Sequence, residues 1–362
     1  MRAARRVIAA LVLLLGTLTA CGYGSRGADG DGTPAAAHGR KLSADAVRIG
    51  YFPNLTHATA LVGVRKGLIQ QALGGTQVKT ATFNAGPSEI EALNAGSIDI
   101  GFIGPSPAVN GYTRAGGRNL RIISGAASGG VSLVVNPRRI RSLNDVRGKR
   151  IATPQLGNTQ DVAFLNWIAD QGWKVDAQSG KGDVSVVRVD NKVTPDAYGA
   201  GSVDGAWVPE PTASKLVAEG AKVLLDEADL WPGKKFVITN IIVSQSFLTG
   251  HPDVVEAVLR GTVRTNRWIR EHPAEAGRVA NAALGDLTGK ALPAAVLTHA
   301  WSRIGFTDDP LAATLRVQAD RVARVGLLDH PRPAGIYDLG PLDRVLSGQG
   351  LPRVSDAGLG TP

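Results

Sequence analysis

A repeat at a spacing of about one hundred residues constrains this chain more than any other feature. Arg48-Ile49-Gly50-Tyr51-Phe52-Pro53-Asn54-Leu55-Thr56-His57 has the form of a strand running into a polar turn, and Arg150-Ile151-Ala152-Thr153-Pro154-Gln155-Leu156-Gly157-Asn158-Thr159 repeats that form 102 residues later. A helical pattern follows each: Ala58 to Lys66, stopped by Gly67, and Gln160 to Gln171, stopped by Gly172. Strand patterns come next, at Gln77 to Phe83 and Val184 to Val189. A second unit then repeats, Ala95-Gly96-Ser97-Ile98-Asp99 with Ile100 to Ile103 matching Ala200-Gly201-Ser202-Val203-Asp204 with Gly205 to Val208. Each ends in a proline-bearing loop, Gly104-Pro105-Ser106-Pro107 in the first and Pro209-Glu210-Pro211 in the second.

Two strand–helix–strand–helix–strand halves predict an α/β fold of two similar lobes. Each lobe is an open, mainly parallel sheet with helices on both faces. Such sheets bind ligands outside the carboxyl ends of their strands, where these turns fall. Beyond Ile241 the pattern is helical, over Asp253–Glu271, Pro273–Ala283, Pro293–Ile304 and Leu311–Leu327, and the chain is expected to return to the first lobe and finish there. The expected organisation is a signal peptide at 1–20, an anchored flexible linker at 21–45, lobe one from 46 to 136, lobe two from 137 to 242, a return to lobe one with C-terminal helices over 243–345, and a tail at 346–362.

At the N-terminus, Arg2, Arg5 and Arg6 precede the apolar run Val7 to Leu15 and then Leu18-Thr19-Ala20-Cys21, the layout of a secretory signal. Leu-Thr-Ala-Cys resembles a bacterial lipobox. That resemblance implies cleavage before Cys21 and lipidation of its thiol, tethering the protein to the outer face of the cell membrane. Residues 22 to about 41 are rich in Gly, Ala, Ser, Asp and Thr, a linker composition. With one Cys, a disulfide scaffold and a Cys-rich metal site are both excluded. Without the three leader arginines the chain has 37 basic against 31 acidic residues, a scattered +6. Its densest run, around Arg138-Arg139-Ile140-Arg141, has no interleaved aromatics and reads as solvated surface, so no nucleic-acid partner is expected.

The turns at the strand ends offer binding chemistry rather than catalysis. Gly157-Asn158-Thr159 opens a helix. Asn158 or Thr159 either caps the first turn, or the free amides and positive helix end hold an anion. The repeat-related Asn54, Thr56 and His57 face it, with His57 a cap or a contact. Pro105 and Ser106 supply a close backbone and a hydroxyl, or merely a strand-to-helix turn. Trp207 is either core or a cleft wall, and Glu210 is either solvated or the partner of a ligand cation. No nucleophile elbow, His-Glu-x-x-His, phosphate loop or dinucleotide fingerprint is present, and the six histidines show no metal spacing. Neither a cofactor, a metal nor turnover is expected.

Phe83-Asn84-Ala85-Gly86-Pro87, followed by Glu91-Ala92-Leu93-Asn94-Ala95-Gly96-Ser97-Ile98-Asp99-Ile100-Gly101, resembles the first-lobe signature of the aliphatic sulfonate-, taurine- and nitrate-binding proteins of ABC importers. Leu143 to Gly157 is similar to that family's start of lobe two, and Phe247-Leu248 with His251-Pro252-Asp253-Val254-Val255 to its return helix. The resemblance implies a type II periplasmic-binding-protein fold, a monomer that closes on a small organic anion and delivers it to an ABC permease and its ATPase. An aliphatic sulfonate leads as ligand; taurine, nitrate or a heterocyclic vitamin precursor are alternatives. A ligand sensor is a further reading. So is a pyrimidine-precursor synthase of the same fold, but the synthase requires a cysteine-rich motif that this chain lacks. Relatives commonly carry an aromatic just before the acid of the second cleft loop, where this chain has Pro209, with Trp207 two residues earlier.

Overall fold

The computed structural model describes residues 41–361. The leader, Cys21 and most of the linker lie outside the described residues. The chain runs β1 (Ala46–Tyr51), α1 (Ala58–Arg65), α2 (Leu68–Leu73), β2 (Gln77–Thr82), α3 (Gly86–Asn94), β3 (Ile100–Ile103), α4 (Pro105–Arg114) and β4 (Leu120–Gly129). It then crosses to β5 (Val131–Val135), β6 (Arg150–Thr153), α5 (Thr159–Asp170), β7 (Ser185–Arg188), α6 (Thr194–Gly199), β8 (Gly205–Pro209), α7 (Thr212–Ala218) and β9 (Lys222–Asp226). It returns through β10 (Val237–Ser244) to α8 (Gln245–Gly250), α9 (Pro252–Glu271), α10 (Pro273–Thr288), α11 (Ala294–Trp301), β11 (Ile304–Phe306), α12 (Ala312–Arg324) and α13 (Gly340–Ser347).

The repeat is a repeat of topology. One sheet has the order β11-β4-β10-β3-β1-β2 and the other β7-β6-β8-β5-β9. In each, the first strand of the half pairs in parallel with the second and third. One reversed strand then separates the third strand from the fourth, β10 in lobe one and β5 in lobe two. That reversed strand is the one each lobe receives when the chain crosses over. Pairing therefore puts the first crossing at Gly129–Gly130, both at positive φ, rather than after residue 136, and lobe two ends before Val237 rather than at 242.

The repeated Ala-Gly-Ser-x-Asp segments are structural. Gly96 and Gly201 both take φ of 68°, the left-handed turn that ends the preceding helix. Asp99 accepts from the Arg48 amide at 2.8 Å, and Asp204 from the Arg150 amide at 2.9 Å. The arginine side chains also reach the Gly96 and Gly201 carbonyls. The same clasp thus ties the third strand of each half to its first.

The C-terminal helices do more than return to lobe one. β11 extends the first sheet beside β4. On its two sides, α11 and α12 reach lobe two: the His299 Nδ1 lies 2.7 Å from Ser214 Oγ on α7, and Asn166 Nδ2 of α5 donates to the Arg321 carbonyl at 2.9 Å. Arg303 pairs with Asp226 at 2.8 Å, and the Arg321 guanidinium lies 4.2 Å from the Trp231 ring centroid. The expected finish within lobe one is corrected accordingly. Residues 346–361 are anchored as well, since Leu359 is buried and the Thr361 amide donates to Tyr337 at 2.9 Å. Among the described residues no helix is long and apolar enough to cross a membrane.

Candidate functional site

The carboxyl ends of β1 and β3 face those of β6 and β8, and a small cavity lies between them. Phe52, Asn54, Thr56, His57 and Gly104 line it from lobe one; Asn158, Thr159, Gln160, Asn191 and Pro209 line it from lobe two, and Ile238 from β10. Its volume, about 10 Å3, is room for about one water. The Leu55 amide donates to the Glu210 carbonyl at 3.2 Å, so backbone closes the lobes on one another directly.

The polar turn after β1 is organised within itself. Thr56 Oγ1 donates to Asn54 Oδ1 at 2.7 Å, and Thr239 Oγ1 of β10 donates to the Thr56 carbonyl at 2.9 Å. His57 stacks on Phe52, ring centroids 4.3 Å apart, and its Nδ1 accepts the Phe52 amide at 3.2 Å. That bond assigns the imidazole proton to Nε2. Burial pushes the His57 pKa down to about 3, so the ring is a neutral N–H donor at any physiological pH.

Across the cavity, α5 begins without a cap. Asn158 makes no capping bond and instead donates from Nδ2 to Gln160 Oε1 at 3.2 Å. The first hydrogen-bonded amide of the helix is that of Val162. Behind the turn, Asp161 accepts from the Gly157 amide at 3.0 Å, Thr153 Oγ1 at 2.7 Å and Arg188 Nε at 3.0 Å, which fixes the loop's shape. The Thr159 hydroxyl is buried with no partner, against the edge of Gly104. An unpartnered buried hydroxyl costs about 1–3 kcal/mol unless something accepts from it.

Five of the ten sequence-derived candidates line the cavity, Asn54, Thr56, His57, Asn158 and Thr159, while the Glu210 carbonyl accepts the Leu55 amide that joins the lobes. The side chain of Glu210 does not line the cavity. It is buried, its Oε2 accepts the Ser214 amide at 3.0 Å, and burial raises its pKa above the usual carboxylate range. It is a cap for α7, neither solvated nor offered to a ligand amine. Trp207 belongs to the core, packed against Phe164 and Trp167 with ring centroids 5.5 and 6.1 Å away, and its Nε1 donates to Glu227 at 2.8 Å. Trp207 lies two residues back from the strand end, within the buried stretch of β8, while Pro209 at the carboxyl end reaches the cavity. Pro105 and Ser106 start α4 behind Gly104, and the Ser106 hydroxyl is buried and unpartnered. Gly157 lines a separate groove. Phe52, Gly104, Gln160, Asn191, Pro209 and Ile238 were missed as site residues; Asn191 follows β7, so the strand-end rule that found the others also reaches it.

The cavity presents neutral donors and no lysine or arginine. Hydroxyl, amide and imidazole N–H groups beside an uncapped helix start suit an anion that stays ionised and only accepts hydrogen bonds. No cluster of three potential metal ligands occurs among the described residues.

Two α/β lobes, each with one reversed strand received from the other, and a donor-lined cleft at their strand ends define a periplasmic-binding-protein fold of type II. The chain belongs to the NMT1-like family, whose model matches residues 40–284. It is 28% identical over 217 residues to a binding protein of Brucella abortus, covering 59% of this chain and 63% of that one, so the match spans under two thirds of that relative. It is 28% identical over 280 residues to a Bacillus subtilis protein named as an aliphatic sulfonates-binding protein, covering 75% of each. The fold is similar to that of the alkanesulfonate-binding protein SsuA from Xanthomonas axonopodis bound to MOPS, with a TM-score of 0.65, 23% identity, and coverage of 79% of this chain and 95% of that one. These relatives are named as binding proteins, not enzymes.

Proposed function

We propose that the protein is an exported, lipid-anchored solute-binding protein that captures a small organic anion between its lobes and hands it to an ABC permease and its ATPase. An aliphatic sulfonate is the favoured ligand, with taurine and nitrate as the nearest alternatives. The observation that carries the reading is the unpartnered Thr159 hydroxyl at the uncapped start of α5, facing neutral donors from the other lobe. A sulfonate has three acceptor oxygens, no proton to give at neutral pH, and so no need of an acceptor in the site. The name of the Bacillus subtilis relative points the same way. Because the cavity holds about one water-sized group, a solute enters by rotation of the lobes about the two crossings.

A thermal-shift series with alkanesulfonates, taurine, nitrate and pyrimidines tests this. At one hundred times its dissociation constant, a ligand of the folded state adds about 2.7 kcal/mol, or about 5–10 °C in Tm. Thr159→Ala should cost about 1.5–3 kcal/mol in affinity for every anionic ligand, since it removes a hydrogen bond to a charged group. No shift with any anion would overturn the reading. A shift with a pyrimidine alone would reassign the ligand.

A further inference from the structure

The end of lobe two that points away from the cleft carries most of the chain's excess charge. Residues 136–150, the loop from β5 into β6, hold Arg138, Arg139, Arg141, Arg147, Lys149 and Arg150 against one acid, Asp145. That is a net +5, in a chain that carries +6 once the three leader arginines are set aside. Strand pairing brings further cations to the same end. Val135 closes β5 and pairs with Gly205, which opens β8, and with Lys222, which opens β9. Lys174 joins from the segment after α5, since its amide and that of Gly148 both bond to Asp183, at 2.8 and 2.7 Å. The acids here are engaged within the fold. Asp204 is buried beneath Arg139 and Arg150, Asp183 pairs with Arg147 at 2.9 Å, and Asp145 accepts the Arg141 and Ser142 amides, both at 2.9 Å. The matching clasp in lobe one, on Asp99, uses Arg48 alone, so the second arginine on Asp204 exceeds what the clasp requires. Arg138, Arg141, Lys149, Lys174 and Lys222 form no ion pair among the described residues; Lys149 is half-buried and the other four are exposed. Glu219, exposed at the end of α7, is an acid of the neighbouring helix and leaves the excess in place.

We infer that this end of lobe two is a docking surface for a bilayer bearing anionic phospholipid headgroups, a second membrane contact beside the lipid at Cys21. The inference rests on the tethered reading of the protein and adds an orientation to it, because the tether joins only the start of β1, on lobe one. The stretch from Cys21 to Ala46 reaches at most about 85 Å when extended. A body of this length is about 50 Å across, so the tether lets lobe two meet the surface that holds the anchor. Tethering also raises the effective concentration of that second contact. Headgroup phosphates need no pocket; each Lys or Arg near an anionic surface is worth about fivefold in affinity. The 136–150 run has no aromatic side chain, so it lacks the stacking platforms that a nucleic acid would use.

Co-sedimentation of the mature Cys21→Ala chain, with neither leader nor anchor, tests the surface by itself. Phosphatidylcholine vesicles with about 30% phosphatidylglycerol should bind it at about 50 mM NaCl and release it at about 1 M, where the screening length falls to about 3 Å. Pure phosphatidylcholine vesicles should not bind it. Arg138→Gln/Arg141→Gln/Lys149→Gln should weaken binding about one hundredfold. Lys79→Gln/Arg118→Gln/Arg264→Gln removes three exposed cations of lobe one for the same change in net charge, and should stay within about threefold of its parent. Equal losses in the two variants would show that net charge alone draws the chain to the membrane and would overturn the assignment. So would equal binding to both lipids, or no binding to anionic vesicles. A duplex oligonucleotide that binds at about 150 mM NaCl where vesicles do not would overturn it in favour of a nucleic acid. The tested chain lacks the lipidation site, so failure here is separate from failure of the anchor, which is read from the lipid adduct of the wild type by mass spectrometry.

Discussion

Gly104→Ala separates closure of the lobes from stability of the fold. Gly104 sits in lobe one at φ −69° and ψ 154°, a conformation any residue adopts without strain. Its Cβ position, however, runs into Thr159 of lobe two. The added methyl would overlap Thr159 Oγ1 by about 1 Å relative to normal contact, with Thr159 Cβ at 3.3 Å and the Ile238 carbonyl at 3.8 Å. Inside a core, such overpacking costs about 1–3 kcal/mol. Here the clash lies between lobes, so the open state avoids it and the cost falls on closing. Ligand affinity should drop by about 5–150-fold while the Tm of the unliganded protein stays within about 2 °C. Calorimetry with an alkanesulfonate gives the first number, differential scanning calorimetry the second. The double variant Gly104→Ala/Thr159→Ala supplies a cycle: with the hydroxyl gone the methyl has room, so the double variant should bind no worse than Thr159→Ala alone. Unchanged affinity in Gly104→Ala, or fully additive losses in the double variant, would refute the closed geometry from which this reasoning starts.

Three other outcomes are expected. Cys21→Ala should release the protein from the membrane fraction with its far-UV dichroism unchanged, because no disulfide is lost; retention of the variant, with no lipid adduct in wild-type mass spectra, would sink the anchor. His57, held at a pKa of about 3 against 6.5 in the unfolded chain, keeps stability that is complete above pH 6.5 and lost as the pH falls towards 3, at up to about 1.4 kcal/mol per pH unit. Urea unfolding at pH 7, 6 and 5 should show that slope, and His57→Gln should reduce it. Glu89 is buried under Gly50 and Gly101 with neither oxygen in a full hydrogen bond, and burial raises its pKa well above 4.5. Its sign is opposite: above about pH 4.5 the unfolded chain releases a proton that the folded one retains, so stability falls as pH rises. The Tm advantage of Glu89→Gln over wild type should therefore grow from pH 5 to pH 8, and a pH-independent difference would show that Glu89 is ionised in the fold.

The spacing of the two halves was enough to announce the lobes, because a strand–helix–strand unit is a local pattern written in periodicity and turn residues. Asn54, Thr56, His57, Asn158 and Thr159 were legible for the same reason: parallel sheets put their loops at one end, and the repeat marks both ends. Trp207 and Glu210 were not. Strand pairing decides which residues lie in the core, and β8, paired with β5 and β6, holds Trp207 two residues back from its carboxyl end, within the buried stretch. Glu210 looked free in a proline loop until its carboxyl met the Ser214 amide one turn into α7. The crossing at Gly129–Gly130, the reach of α11 and α12 onto lobe two, and the groove between α4 and Leu156 all depend on contacts between segments far apart in the chain. The sequence alone determined two repeated α/β halves, an N-terminal export pattern and donor-bearing turns at the strand ends. Which of those turns meet, how closely, and with what space beside them was decided by tertiary packing, because lobe-to-lobe distances are set by side chains whose partners no local pattern names.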